Sequence, residues 1–78
     1  MSIKPNPEHH KRLIAMASLL KELRFNVGLT QQELSQLLNL HRNTIHRAEN
    51  FHNMTLSTLF QLADAYEISL SQLFQDIE

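Results

Sequence analysis

Large apolar side chains return every three or four positions along most of the chain. Leu13, Ala17, Leu20, Arg24 and Val27 lie on one stripe and predict a first helix with a single inward face. Lys11, Arg12, Lys21 and Glu22 fall largely off that stripe. Asn6-Pro7 reads as the start, because Asn accepts from orphan amides as N-cap and Pro fits the first helical position. Glu8 then suits the positive end of the helix dipole. The helix should stop at Gly28, the only glycine, which takes the left-handed conformation without a Cβ penalty.

Thr30-Gln31-Gln32-Glu33 fits a capping box opening a second helix, with Leu34, Leu37 and Leu38 as its apolar face. Asn39 suits a left-handed turn, and Leu40 is expected as its buried anchor. A short helix over about residues 42–50 should turn Ile45 and Ala48 inward and Arg42, Asn43, His46 and Arg47 outward. Residues 51–54 read as a loop. Thr55 can cap a fourth helix with Leu56, Leu59, Leu62, Ala63 and Tyr66 on its apolar positions. Ser69-Leu70-Ser71-Gln72 is a second capping-box match, opening a last helix with Leu70, Leu73, Phe74 and Ile77. The pattern holds five helices and no strand signal. It predicts an all-α fold, a compact five-helix bundle with a loose segment over residues 1–6 and a single domain over 7–78.

Composition narrows the function classes. The chain has 78 residues and no cysteine, which excludes a disulfide framework and a thiolate zinc site. No apolar run approaches the roughly 18–20 residues of a membrane span, and Met1–Pro5 has no apolar run after its charge. A soluble, cytoplasmic chain is expected. The net charge of −1 conceals a split. Residues 1–47 carry all seven Lys and Arg against three acids, net +4, whereas residues 48–78 carry five acids and no Lys or Arg, net −5. Such a chain can offer a positive face to phosphates while staying nearly neutral.

The chemistry concentrates between Leu29 and Asn50, whose spacing is that of a helix-turn-helix. Small Ser35 allows a close helix crossing, while Leu34, Leu38, Leu40, Ile45 and Ala48 lock its angle. The outer face at the start of the second helix then meets a major groove. There Arg42 can grip guanine O6 and N7, and Asn43 can pair with adenine N6 and N7. His41 and His46 lie five apart, a spacing that does not put two imidazoles on one helical face, so no metal site is expected. No nucleophile stands at a useful spacing from a base and no glycine-rich phosphate loop is present. An enzyme is not expected, nor any cofactor.

Leu20–Arg24, Gly28–Ser35, Asn43–Asn50, Leu59–Ala63 and Ser69–Phe74 together resemble the phage Cro/repressor (Xre-type) helix-turn-helix family, nearly without a gap over residues 13–74. The resemblance implies a lambda-repressor-like DNA-binding domain. It implies that Gln31 binds a DNA phosphate and braces base-reading side chains, and that Asn50 makes a backbone phosphate contact. His41, Arg42, Asn43, His46 and Arg47 fall on the recognition-helix positions, and Arg24 with Glu49 matches a structural ion pair. The short chain is also similar to the controller proteins of restriction–modification systems, and a stand-alone regulator fits equally. Three departures stand out. Asn39 replaces a turn glycine, His41 stands where Ser or Thr commonly caps the recognition helix, and Phe51-His52 replaces the usual Gly-Lys.

Five short helices cannot hide every large apolar residue, so some of Phe60, Leu70, Phe74 and Ile77 are expected to face a second copy. A two-fold homodimer would read an inverted repeat in double-stranded DNA. The alternative is an antitoxin-like interaction module whose main partner is another protein and which also binds DNA.

Overall fold

The computed structural model describes residues 3–50 and 54–78. Its helices are α1 (Glu8–Asn26), α2 (Gln31–Leu38), α3 (Arg42–Glu49), α4 (Leu56–Ala65) and α5 (Leu70–Asp76). Their ends follow local chemistry. Pro7 already has helical angles, and Asn6 Oδ1 accepts from the Glu8 amide at 2.9 Å, so Asn6 acts as the cap of α1. Thr30 and Glu33 close the reciprocal box that starts α2. The Thr30 amide, which donates to Oε1, and then the nearby Thr30 hydroxyl hold the Glu33 carboxyl below its ordinary range. Thr55 caps α4 through the Thr58 amide.

Three helices end in left-handed residues with the same pair of closing bonds. Gly28 (φ 74°) ends α1, with Leu29 N–H on the Arg24 carbonyl at 3.3 Å. Asn39 (φ 54°) ends α2, with Leu40 N–H on the Ser35 carbonyl at 2.9 Å. Glu67 (φ 55°) ends α4, with Ile68 N–H on the Ala63 carbonyl at 3.1 Å. Nothing in the residue type of Glu67 announces that turn.

Each helix contributes one fully buried large side chain: Leu20, Leu34, Ile45, Leu62 and Leu73. Met16, Ala48, Leu59 and Ala63 complete their cluster. Burying one such side chain contributes about 1.5–3 kcal/mol. Helix α1 packs on α3 and α5, α2 on α3, and α4 on α5, so the third helix is held between the long first one and the second.

Several inward assignments are corrected. Leu37 is 71% exposed, because α2 turns Leu34, Ser35 and Leu38 toward α3 and leaves Leu37 roughly 110° from the middle of that arc. Leu56 is 67% exposed, since it opens α4 at the rim of the core, and Val27 lies past the end of α1 and is also exposed. Leu40 is only half-buried. At α5 only half of the expected capping box forms. Ser69 accepts from the Gln72 amide, but the Gln72 side chain donates forward to Asp76 Oδ1 at 2.8 Å. Of the loop expected over residues 51–54, Met54 lies outside any helix, and residues 51–53, with the Phe51-His52 departure, lie outside the described residues.

Candidate nucleic-acid interface

The left-handed turn at Asn39 redirects the chain so that α3 crosses α2 over buried Ser35. His41 is extended (φ −69°, ψ 141°), and its ring Nδ1 accepts from the Asn43 amide at 3.0 Å. The missing Ser or Thr cap is thus supplied by an imidazole. From there Ile45 and Ala48 go fully into the core. Arg42, Asn43, His46 and Arg47 are all exposed. At about 100° per residue these four share one arc of roughly 140° on the outer face of α3. Neither Arg42 nor Arg47 makes a side-chain hydrogen bond or ion pair among the described residues.

The far end of α3 is closed by Asn50, whose Nδ2 donates to the His46 carbonyl at 2.7 Å and stands 3.3 Å from His46 Nδ1. Asn50 is half-buried, and its amide nitrogen lies within hydrogen-bond distance of both the His46 carbonyl and the His46 ring. A phosphate contact through that nitrogen would have to exchange one of these bonds.

Behind the outer face lies a charged brace in a largely apolar interior. Arg24 (5% exposed) on α1 meets Glu49 (4% exposed) at the end of α3 in a bidentate pair, Nε to Oε2 at 2.8 Å and Nη2 to Oε1 at 2.9 Å. The third guanidinium nitrogen, Nη1, donates to the Leu29 carbonyl at 2.8 Å. The bond to Glu49 raises the Arg24 pKa above its already high ordinary value, so Arg24 stays charged. The guanidinium also sits 4.6 Å from the centre of the Phe25 ring. Gln31, half-buried in the first turn of α2, donates from Nε2 to Glu49 Oε1 at 3.1 Å. One carboxylate therefore joins α1, α2 and α3. Tyr66 lies close enough that burial first, and then the Glu49 charge, push its phenol pKa up. The Tyr66 hydroxyl is buried with no hydrogen-bond partner among the described residues.

The structure thus brings Arg42, Asn43, His46 and Arg47 together on one exposed face, puts His41 at its head, and sets Gln31, Arg24 and Glu49 behind it. Among the contacts that the residues alone did not announce are Gln31 on Glu49 and Asn50 on His46. The second had a local signal, since residues four apart on a helix are neighbours. Among the described residues no three His, Asp or Glu side chains converge as a metal site would require, and no helix is long and apolar enough to cross a membrane.

A family model described as helix-turn-helix matches residues 20–73, from the middle of α1 to the middle of α5. No curated protein matches the chain.

Proposed function

This chain belongs to the Cro/C1-type (Xre) helix-turn-helix family, and we propose that it is a sequence-specific transcriptional regulator that binds an inverted-repeat operator as a homodimer. The family's lambda-repressor-like fold and its non-enzymatic DNA binding are the ground for that reading. The single observation that carries it further is the outer face of α3, where cationic and amide side chains stand exposed over a helix pinned from behind by the Arg24–Glu49 pair. Arg42 and Asn43 set sequence preference in this reading, with His41, His46 and Arg47 beside them, while Gln31 and Asn50 hold phosphates and fix register.

A second copy is favoured by apolar surface on the other side of the molecule. Phe60, Leu70 and Phe74 are exposed, and Ile77 is half-buried. A groove of about 320 Å³ bounded by Leu13, Met16, Leu56, Leu59, Phe74 and Ile77 runs between α1, α4 and α5. Dimerisation there keeps the acidic α4–α5 half away from DNA and sets two recognition helices on half-sites about 34 Å apart. Selection from a random duplex library tests the reading, and an enriched palindrome is expected. Equal retention of all sequences would defeat it, and a monomer by light scattering at tens of micromolar would defeat the dimer. The same apolar surface supports one alternative, an antitoxin-like module that covers it with another protein. A stoichiometric partner retained through purification would favour that reading.

A further inference from the structure

Two contacts on α3 determine which nitrogen of each histidine carries the proton. His41 Nδ1 lies 3.0 Å from the Asn43 backbone amide, which can only donate, so this Nδ1 is an acceptor. At the other end, Asn50 must turn its NH₂ toward the His46 carbonyl at 2.7 Å, because its amide oxygen would there face another oxygen. The same NH₂ faces His46 Nδ1 at 3.3 Å, which makes that nitrogen an acceptor too. A neutral imidazole has one N–H, so both rings carry it on Nε2. Each histidine then offers a donor away from its own backbone contact.

Arg42 and Arg47 have donors and no acceptor. Glu49, the only acid on α3, is buried against Arg24 and offers nothing to the outer face. Of the five exposed residues at the reading end, four present only donors, and Asn43 alone has an acceptor.

We propose that this donor-rich surface selects guanine, that His46 is a specificity-determining residue reading through Nε2–H, and that the half-site holds one adenine, opposite Asn43. The proposal rests on the DNA-reading function proposed above. In the major groove guanine presents two acceptors, N7 and O6, and no donor. Adenine sets its N7 acceptor beside the N6 donor and cytosine offers only the N4 donor, so against the forked arginine donors either would leave a desolvated N–H facing an N–H. Thymine offers a single acceptor beside a methyl group.

The test uses the full chain in three steps. Selection from random duplexes should return half-sites with guanine at the positions facing α3. Replacing those guanines singly with 7-deazaguanine, which removes the N7 acceptor, should weaken binding by about fivefold or more at the arginine-read positions. His46→Glu exchanges the donor for acceptors at an exposed site, and the variant with unchanged helicity should favour cytosine where the wild type takes guanine. Long-range ¹H–¹⁵N spectra of the free chain, assigned with His41→Gln and His46→Gln, should show both Nδ1 atoms bare. A proton on either Nδ1, indifference to 7-deazaguanine, or an unchanged preference in His46→Glu would overturn the donor-rich face while leaving operator binding intact. Absence of any enriched sequence would overturn the regulator reading and this proposal with it.

Discussion

Removing the carboxylate of Glu49 is the most demanding test of how the recognition helix is held. Glu49→Ala takes away the acceptor of Arg24 Nε, of Arg24 Nη2 and of Gln31 Nε2 at once. Arg24 is then left buried with the Leu29 carbonyl as its remaining hydrogen-bond partner, and the intrinsically high pKa of a guanidinium gives it no route to neutrality. Leaving one charge of a buried pair uncompensated costs about 3–5 kcal/mol. A chain of this length is stable by only about 4–12 kcal/mol, at roughly 0.05–0.15 kcal/mol per residue. Glu49→Ala should therefore be marginal or unfolded at 25 °C. Arg24→Met/Glu49→Leu removes both charges together. It should recover most of the loss and retain a deficit of about 1 kcal/mol for the open Leu29 carbonyl. Urea unfolding followed by helical circular dichroism measures the wild type, the single variant and the double variant. A Glu49→Ala loss below about 1 kcal/mol, or a double variant as unstable as the single, would refute the reasoning.

Glu67→Gly relieves a left-handed residue that carries a Cβ, and should raise stability by about 0.5 kcal/mol, seen as a higher melting temperature; a lower one would show that the Glu67 side chain contributes more than its backbone strain costs. Tyr66→Phe deletes a buried hydroxyl without a partner and should leave stability unchanged or raise it by up to about 1 kcal/mol. Because burial and then Glu49 raise the folded-state pKa of Tyr66, its contribution holds below the unfolded value of about 10 and is lost as pH rises beyond it. Tyr66→Phe should therefore unfold less readily in alkali, and equal alkaline limbs would count against this account. Glu33 has the opposite sign: its folded pKa is lowered, so its contribution is present above the unfolded value of about 4.3 and fades as pH falls. Glu33→Gln, which keeps a box-forming side chain, should flatten the acid limb of stability between pH values of roughly 3 and 5, and an unaltered limb would assign acid sensitivity elsewhere.

Helix existence was legible because the signals were local and redundant. Thr30, Thr55, Gly28 and Asn39 each act through their own backbone or a neighbour within a few residues, and each does what its chemistry allows. Glu67 was not legible, because its left-handed turn is imposed by the path from α4 to α5 and not by residue type. Periodicity also overstated the apolar face of α2. It ranks Leu34 and Leu37 alike, and only the position of α3 decides that one is buried and the other exposed. At the site, the outward turn of Arg42, Asn43, His46 and Arg47 followed from spacing alone. Arg24 and Glu49 are 25 residues apart, and no local rule pairs them; only the family resemblance had set them together. The imidazole cap at His41 escaped because ring nitrogens are seldom counted among cap acceptors, although a bare Nδ1 has the required lone pair.

Helix α3 is eight residues long, barely two turns. Isolated helices below about 12–15 residues do not hold together in water, because nucleation fixes several residues for a single bond. The reading head therefore has no existence apart from the whole. His41 and Asn50 close its two ends, and Glu49 ties it to the longest helix, so its amides should exchange with solvent only through near-global opening. Under the proposed function, sequence discrimination and thermodynamic survival become one cooperative property, and a population that begins to unfold loses at once its ability to tell one base from another.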